Sequence, residues 1–512
     1  MFVGLATSAH AQAPAAPNPV AGAVAAPAAA PAPVALREMN EFTNSKGQVV
    51  DLTPYKIAPN KINQVQGTLL TALQSGRTTG EIEAANLELL AHIRIAELTW
   101  PSSDPKDSPE QRRMRIKFRS GLRQSGAQDP GQAPEVHDKL NAYAVAALPK
   151  IVTDAGYPLV SRYNAVLLLG QLDRVEQDSI KGRAAEPLPE ATPPLAAVFQ
   201  DVQMPEALRI GALVGLARQA ELKAAAAART TLADIALKTI AAKAPPAGFS
   251  VAGHQWARKL ALQMTIGLAR SGPELNRGET VQAVHKIIED GNEPLFLRRD
   301  ACLALGTLDP TALTASGVKP ADLVRGVANF TYTLSKAGAP RADASLPPDL
   351  TKAEDVFLTP VEGPGFNLKP DTPALQQSTP PKKLFAEGVG YYLHCIATAL
   401  GGEGGRGLRA LPALDPKTNE QLAALLRDHV TPMMGAMAVS QTKLDASKLA
   451  TDMAAGRSKL EQWMQSQSLI AAPTPASPTP AAAGAVGSAN ASGSAPGVAA
   501  GTLGSPVAPR SP

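Results

Sequence analysis

A run of basic residues between positions 111 and 123 is the clearest sign of binding chemistry in this sequence. The stretch QRRMRIKFRSGLR contains no acidic residue. Guanidinium and ammonium groups attract phosphates and carboxylates, so such a cluster can bind nucleic acid, an anionic lipid surface or an acidic polymer. The cations of the segment are Arg112, Arg113, Arg115, Lys117, Arg119 and Arg123.

The element that carries these cations is either a helix or a strand. On a helix, Met114, Phe118 and Leu122 fall at four-residue steps on one face and leave the charges around the rest. Strict alternation over 113–119 also permits a strand. The plainer interpretation is a solvated face paired with carboxylates elsewhere, because charge runs are commonly solvated. A net charge of +4, from 49 basic and 45 acidic residues, does not require a polyanionic partner, and nothing indicates specific nucleic-acid binding.

No other group of residues has the spacing of a catalytic or metal site. Gly402, Gly404 and Gly407 match G-x-G-x-x-G, but they follow an apolar helical run instead of a strand, which predicts a loop. His394 stands beside Cys395, yet adjacent residues on a helix point to different faces. Histidines are scattered, without His-Glu-x-x-His or a cysteine pair. We therefore expect no enzyme, no metal and no cofactor. An enzyme site within 337–407 is the least favoured alternative.

The two cysteines, Cys302 and Cys395, both lie inside apolar helical runs. Buried free thiols that pack as small hydrophobic side chains are the simplest interpretation. A disulfide requires the two residues to be adjacent in space, so their pairing stays open at this point.

The N-terminus, MFVGLATSAHAQAPAAP, indicates an exported protein. A short apolar run is followed by two small-x-small patterns, Ala9-His10-Ala11 and Ala11-Gln12-Ala13. This is typical of the end of a secretory signal whose basic start is missing, and we expect a periplasmic or secreted protein. An Ala-rich tail that never meets a translocon is the alternative. No segment has 18 consecutive apolar residues, so no transmembrane span is expected.

Composition divides the chain into six parts. Both ends carry too little apolar surface to offset chain entropy, so they are predicted to be disordered. The proline-dense insertion is predicted to be a loop, with a short strand near Val356 to Leu358. The parts are a signal remnant (1–13), an Ala/Pro-rich linker (14–35), helical repeats (60–336, clearest over 139–310), the loop insertion (337–381), a C-terminal helical unit or cap (382–466) and an Ala/Pro/Gly/Ser tail (471–512).

The elements between the tails are predicted to be helices almost throughout. Aromatic residues supply only 4% of the chain, so Ala, Leu, Ile and Val must build the core, which favours packed helices over β-sandwiches. Segments such as ANLELLAHIRIAEL and KLNAYAVAALPKIV place apolar residues at three-to-four spacing. The predicted fold class is all-α.

A pattern of aspartate, proline and arginine recurs at fixed spacing, which we call the frame. Its form is Asp-x3-Pro-x3-Arg-x2-Ala-x3-Leu-[Gly/Ala]. A fourth slot holds SVAGHQWARKLALQMTIGLAR, with Ser250 and Arg258 in register and His254 in place of the proline. After Arg258 this copy is shifted by one residue, so it is degenerate. The three clear copies carry Asp154, Pro158 and Arg162; Asp201, Pro205 and Arg209; and Asp290, Pro294 and Arg298.

Each frame position has a physical reason to recur. Proline suits the first turn of a helix, where its missing N–H has no intrahelical partner. The aspartate in the preceding turn can accept backbone N–H groups or pair with an arginine of an adjacent unit. The final glycine or alanine allows close helix contact. A ligand-binding ladder of arginines is the alternative, but reuse of one contact favours ties between successive units.

At these residues the chain resembles the HEAT-repeat (armadillo-like) family, whose second helix carries a Val-Arg-x-x-Ala-x-x-Ala-Leu-Gly type pattern. The best match is LRRDACLALG (297–306), followed by SRYNAVLLLG (161–170) and LRIGALVGLA (208–217). The resemblance implies an α-solenoid, and it is clear over about 139–310. Segment 382–466 lacks the frame and is expected to be a cap or a separate helical unit.

These observations predict a non-enzymatic scaffold that binds another protein. Stacked helical repeats present a long surface because each unit contacts only its neighbours. The alternative function is an envelope-associated module that holds an anionic polymer or membrane surface through segment 111–123.

Overall fold

The protein is mostly helical, as the sequence predicted. The computed structural model describes residues 37–100, 109–126, 135–178, 180–222, 224–272, 278–343, 381–401, 406–411, 414–440 and 446–468. The core consists mainly of buried Leu, Ala, Ile and Val side chains, in keeping with the low aromatic content. The all-α class is therefore confirmed.

The helices follow one another with short connections. They are α1 (Thr53–Ile57), α2 (Asn60–Thr68), α3 (Leu70–Ser75), α4 (Glu81–Ala96), α5 (Pro109–Gly126), α6 (Glu135–Thr153), α7 (Leu159–Leu169), α8 (Thr192–Gln200), α9 (Glu206–Glu221), α10 (Ala226–Ala241), α11 (Val251–Ser271), α12 (Gly278–Glu289), α13 (Leu295–Thr307), α14 (Pro310–Ala315), α15 (Pro320–Asp343), α16 (Pro381–Gly401), α17 (Pro416–Ala424), α18 (Thr431–Ser440) and α19 (Ala446–Ser466). A π-helical turn, Leu425–Val430, joins α17 to α18.

Consecutive helices pack as pairs, and the second helices of the pairs contact one another in chain order. The pairs are α4 with α5, α6 with α7, α8 with α9, α10 with α11, and α12 with α13. Helix α5 contacts α7, which contacts α9, and the series continues through α11 and α13 to α16. Among the first helices, α4 contacts α6, and α12 contacts both α10 and α15. Each helix therefore buries one side against its partner and another against the next pair.

Within the described residues, two short antiparallel hairpins interrupt the helices, and the sequence had not indicated either. Strands β1 (Glu41–Thr43) and β2 (Val49–Asp51) pair before α1. Strands β3 (Asp173–Val175) and β4 (Glu186–Pro187) form an irregular pair between α7 and α8. The second hairpin contains two buried carboxylates, which are described below.

The predicted loop over 337–381 begins too early. Helix α15 continues to Asp343, so the first seven positions of that segment are helical. The expected strand near Val356 to Leu358 lies outside the described residues, as do Gly402 and Gly404. Proline density misled the boundary, because Pro340 removes one intrahelical hydrogen bond but does not end α15.

None of the helices within the described ranges combines the length and apolar character needed to cross a bilayer.

Candidate functional site

The frame arginines make one contact that is repeated in three helix pairs. The Nε of Arg162 donates to the carbonyl oxygen of Val152 at 2.8 Å. Arg209 donates likewise to Phe199 at 3.0 Å, and Arg298 to Ile288 at 2.9 Å. Each acceptor is the penultimate residue of the first helix of the pair. The last carbonyls of a helix have no intrahelical partner and carry the negative end of its dipole. A guanidinium at this place supplies the missing hydrogen bond and a compensating positive charge.

The frame prolines and aspartates shape the turn between the two helices. Each proline occupies the N-cap with an extended backbone, at ψ 141° for Pro158, 139° for Pro205 and 139° for Pro294. The sequence predicted that each proline lies inside the first turn of the helix, whereas it lies one residue earlier, at the N-cap. Its carbonyl accepts the amide of the frame arginine at 3.0 to 3.2 Å.

The frame aspartates accept a backbone N–H two residues along the chain. Asp154 accepts from Gly156 at 2.8 Å, Asp201 from Gln203 at 2.9 Å and Asp290 from Asn292 at 3.0 Å. This is an Asx turn, which replaces the helix with a tight bend at a defined place. The lysine Lys243 also pairs with Asp290 and lowers the pKa of that carboxyl, chiefly through their hydrogen bond.

A second set of contacts leads from the arginines to the next pair. Nη2 of Arg162 lies 3.4 Å from Sδ of Met204. Nη1 of Arg209 donates to the carbonyl of Ala247 at 2.8 Å. Arg209 also lies 4.2 Å from the centre of the Phe249 ring. The arginine therefore joins the helices of its own pair and reaches the following one.

The third guanidinium, that of Arg298, follows the same scheme with an aromatic neighbour. It lies 4.7 Å from the centre of the Phe330 ring, which belongs to α15. Only 1% of Arg298 is exposed, so this charge is largely removed from water. Burial lowers the pKa of all three frame guanidiniums. The frame arginines are thus engaged within the fold.

The fourth slot uses a histidine in the place of the arginine. Ser250 is the N-cap of α11, where the other pairs have proline, and its Oγ accepts from the amide of Gly253. His254, four residues later, lies with Nε2 3.0 Å from the carbonyl of Ala242 at the end of α10. The register expected from the sequence was therefore wrong by four residues, because Ser250 corresponds to the proline and His254 to the arginine. Arg258 instead pairs with both carboxylate oxygens of Glu293, at 2.7 and 2.8 Å.

Glycines at the frame's end bring neighbouring helices into backbone contact. A Cβ on Gly170 would lie 2.5 Å from the Cα of Gly215, and one on Gly306 would lie 2.3 Å from the carbonyl oxygen of Thr398. Such distances leave no room for a side chain. Helices α7 and α9, and likewise α13 and α16, therefore pack at the closest approach their backbones allow.

The basic segment forms helix α5, but one of its cations is not on the surface. Arg119 is 8% exposed and donates to both carboxylate oxygens of Glu176, at 2.7 and 2.8 Å. Its Nη2 also reaches Asp173 at 3.0 Å. Arg119 is therefore a correction to the predicted patch, because it is on the side of α5 that faces the protein. Arg115 is half-buried, whereas the other cations are exposed at Arg112, Arg113, Lys117 and Arg123.

Asp173 and Glu176 form a buried ionic cluster that the sequence did not reveal. Arg218 of α9 donates to both oxygens of Asp173, at 2.8 and 2.7 Å. His137 Nε2 lies 3.4 Å from Glu176. Burial alone raises the pKa of Glu176, but the hydrogen bond from His137 and the charge of Arg119 outweigh it and lower that pKa. The cluster fastens α5, α6 and α9 to the β3–β4 hairpin. No spacing in the sequence indicates it, since its members come from four separate elements.

Both thiols are free and fully buried. Burial raises the pKa of Cys395 to about 12 and also raises that of Cys302 well above its ordinary value. A thiol with a raised pKa is a weak nucleophile because little thiolate is present at neutral pH. Among the described residues, no group of three or more His, Cys, Asp or Glu side chains is arranged to hold a metal.

Two open clefts lie between helices. One, of about 430 Å³, is lined by Ile62, Arg94, Phe118 and Lys117, among others, between α2–α4 and α5. Its main cation is already engaged, because Arg94 pairs with Glu97 at 2.8 Å. The other, of about 530 Å³, lies between α10 and α12 and contains the Lys243–Asp290 and Arg258–Glu293 pairs. Each cleft contains only one of the predicted site residues, Lys117 in the first and Asp290 in the second.

The comparisons with known proteins do not assign a family. No protein-family model, no curated protein and no solved structure matches this chain at a significant level.

Proposed function

We propose that the protein is a non-enzymatic scaffold of HEAT-like repeats that binds another protein. The observation that carries the proposal is the same arginine–carbonyl joint in three helix pairs, with His254 performing the equivalent role in a fourth. A joint that recurs at each step is the hallmark of quasi-one-dimensional repeat proteins. Contact of each second helix with the next supports an α-solenoid.

Binding instead of catalysis is favoured by where the charged frame residues lie. The three arginines are held against helix ends and aromatic rings, and the aspartates are held in turns. The partner therefore contacts surfaces that these joints align. We further propose export, on the small-x-small patterns of the N-terminus.

The test is proximity labelling in cells that produce the protein, with the labelling enzyme fused to its C-terminal tail. We expect one or a few proteins of the exported compartment to be enriched over a compartment-matched control. Absence of any enriched protein contradicts the scaffold, and recovery of the chain from the cytosol contradicts export.

A second function is favoured by the four exposed cations of α5, which can attract an anionic polymer or membrane surface. Sedimentation with phosphatidylglycerol vesicles separates the two proposals. The scaffold predicts no co-sedimentation at 0.15 M salt. Co-sedimentation that is lost in the variant Lys117→Glu/Arg123→Glu supports the second function.

A further inference from the structure

The second helices of successive pairs carry a line of partly exposed apolar side chains, which we call the apolar ridge. On α7 the spacing is three and then four residues, so the side chains share one helix face. Tyr163 and Ile210 directly follow the frame arginines of their helices. The ridge consists of Val160, Tyr163 and Leu167 on α7, Ile210 and Val214 on α9, Trp256 on α11, and Phe296 and Leu303 on α13.

The first helices of the same pairs have fewer large apolar side chains at the surface. On α12 every exposed position is polar or charged, namely Glu279, Gln282, Lys286 and Glu289. On α10 the exposed positions are two threonines, Lys238 and three alanines. The ridge has eight large apolar side chains at the surface of α7, α9, α11 and α13, whereas α6, α8, α10 and α12 together have four, namely Tyr143, Val145, Phe199 and Leu237. A concentration of such side chains on one side of a protein marks an interaction surface.

Charge at the α5 end of the ridge is positive, whereas Glu206 of α9 lies one turn before Ile210. Helix α5 precedes α7 in the series of second helices, and Arg115 lies close enough to Tyr163 for the two groups to interact. Nε of Arg115 is buried without a hydrogen-bond acceptor among the described residues. Arg112 stands one turn earlier on α5 and is exposed.

Two buried carboxylates near this surface are already paired. Asp173 holds Arg119 and Arg218, and Asp300 pairs with Arg299 at 2.6 Å. A partner that brings carboxylates to the α5 end therefore meets the positive charge of Arg112 and Arg115 there. Charge-assisted hydrogen bonds of this kind are the stronger ones.

We propose that the apolar ridge, together with Arg112 and Arg115, binds an amphipathic segment of a partner protein whose apolar side chains adjoin Asp or Glu residues. The segment's apolar side chains pack on α7 and α9, and its carboxylates reach α5. This inference rests on the proposed scaffold function and names the surface and chemistry of that function.

The experiment places a photo-reactive benzoylphenylalanine at Tyr163 of the full chain in producing cells. The matched control carries it at Tyr143, a half-buried tyrosine of α6, the first helix of the same pair. Cross-linked peptides are then sequenced by mass spectrometry. We expect Tyr163 to give a peptide with Asp or Glu within about two turns of its apolar residues, and the yield at Tyr143 to be about tenfold lower.

The Arg112→Ala/Arg115→Ala variant of the Tyr163 probe protein tests the charge. We expect it, or 0.5 M salt, to reduce the yield about tenfold, since exposed charge pairs are screened. Cross-links at Tyr143 alone overturn the ridge but leave the scaffold function standing. Cross-links to lipid, to a second copy of the chain or to a segment without carboxylates overturn the proposed partner. Absence of protein cross-links at both positions contradicts the scaffold function itself.

Discussion

Arg209 and Ile210 are neighbours in the chain, yet they belong to two regions with opposite roles. Arg209 points into the molecule, where it joins α8 to α9 and reaches Ala247 of the next pair. Ile210 is partly exposed on the apolar ridge. The same alternation holds for Arg162 and Tyr163. One side of α7 and of α9 thus joins the helix pairs, and the adjacent side carries the ridge that we propose as a binding surface. Changes to the first region are expected to affect stability, and changes to the second to affect binding.

The largest effect on stability is expected from Arg298→Ala. The substitution removes the hydrogen bond to Ile288 and the contact with Phe330, and it leaves a cavity at a site that is 1% exposed. We expect a loss of about 3 kcal/mol in the free energy of unfolding, measured by urea denaturation. The control is Arg325→Ala, which removes an ion pair with Asp322 near the surface and should cost less than about 1 kcal/mol. Equal losses of unfolding free energy in the two variants contradict the role of Arg298 in joining the helices.

A smaller loss is expected from Gly170→Ala. The new methyl group would meet the backbone of Gly215, so α7 and α9 must separate, at a cost of about 2 kcal/mol. Gly67→Ala in α2 is the matched control, because nothing lies within 4 Å of the new Cβ. There we expect stabilisation by about 0.5 to 1 kcal/mol, since alanine favours a helix more than glycine does. A midpoint temperature of thermal unfolding that shifts in the same direction in both variants contradicts the close contact between α7 and α9.

The sequence predicted the fold class and the frame but only part of the site. The frame residues contact groups within one turn and the helix before it, so their spacing in the sequence is enough to predict these contacts. The buried role of Arg119 depends on Asp173 and Glu176, which lie 54 and 57 residues away. A histidine can replace an arginine at a helix end because either offers an N–H donor, and residue identity alone therefore misplaced the fourth slot.

The histidine joint should make stability depend on pH. Burial lowers the pKa of His254 below that of the unfolded chain, an effect only partly offset by its bond to Ala242 and by Glu293, while Arg258 lowers it further. The unfolded chain then binds more protons, so the stabilisation is complete above pH of about 6.5 and declines as pH falls below it. The free energy of unfolding, measured by urea denaturation between pH 5 and 8, should change less with pH in His254→Gln than in the parent chain. An identical dependence on pH in the two proteins contradicts this role of His254.

The central claim is most directly tested by comparing Arg209→Ala with Ile210→Asp in the chain that carries the photo-reactive residue at Tyr163. Two quantities are measured, the free energy of unfolding and the cross-linking yield of the folded protein. We predict that Arg209→Ala lowers the free energy of unfolding by about 2 kcal/mol and keeps the yield, because the joint is structural. Ile210→Asp should cost at most about 1 kcal/mol and abolish most cross-linking. The reverse pattern, or equal effects of both substitutions on both quantities, contradicts the division between joint and ridge.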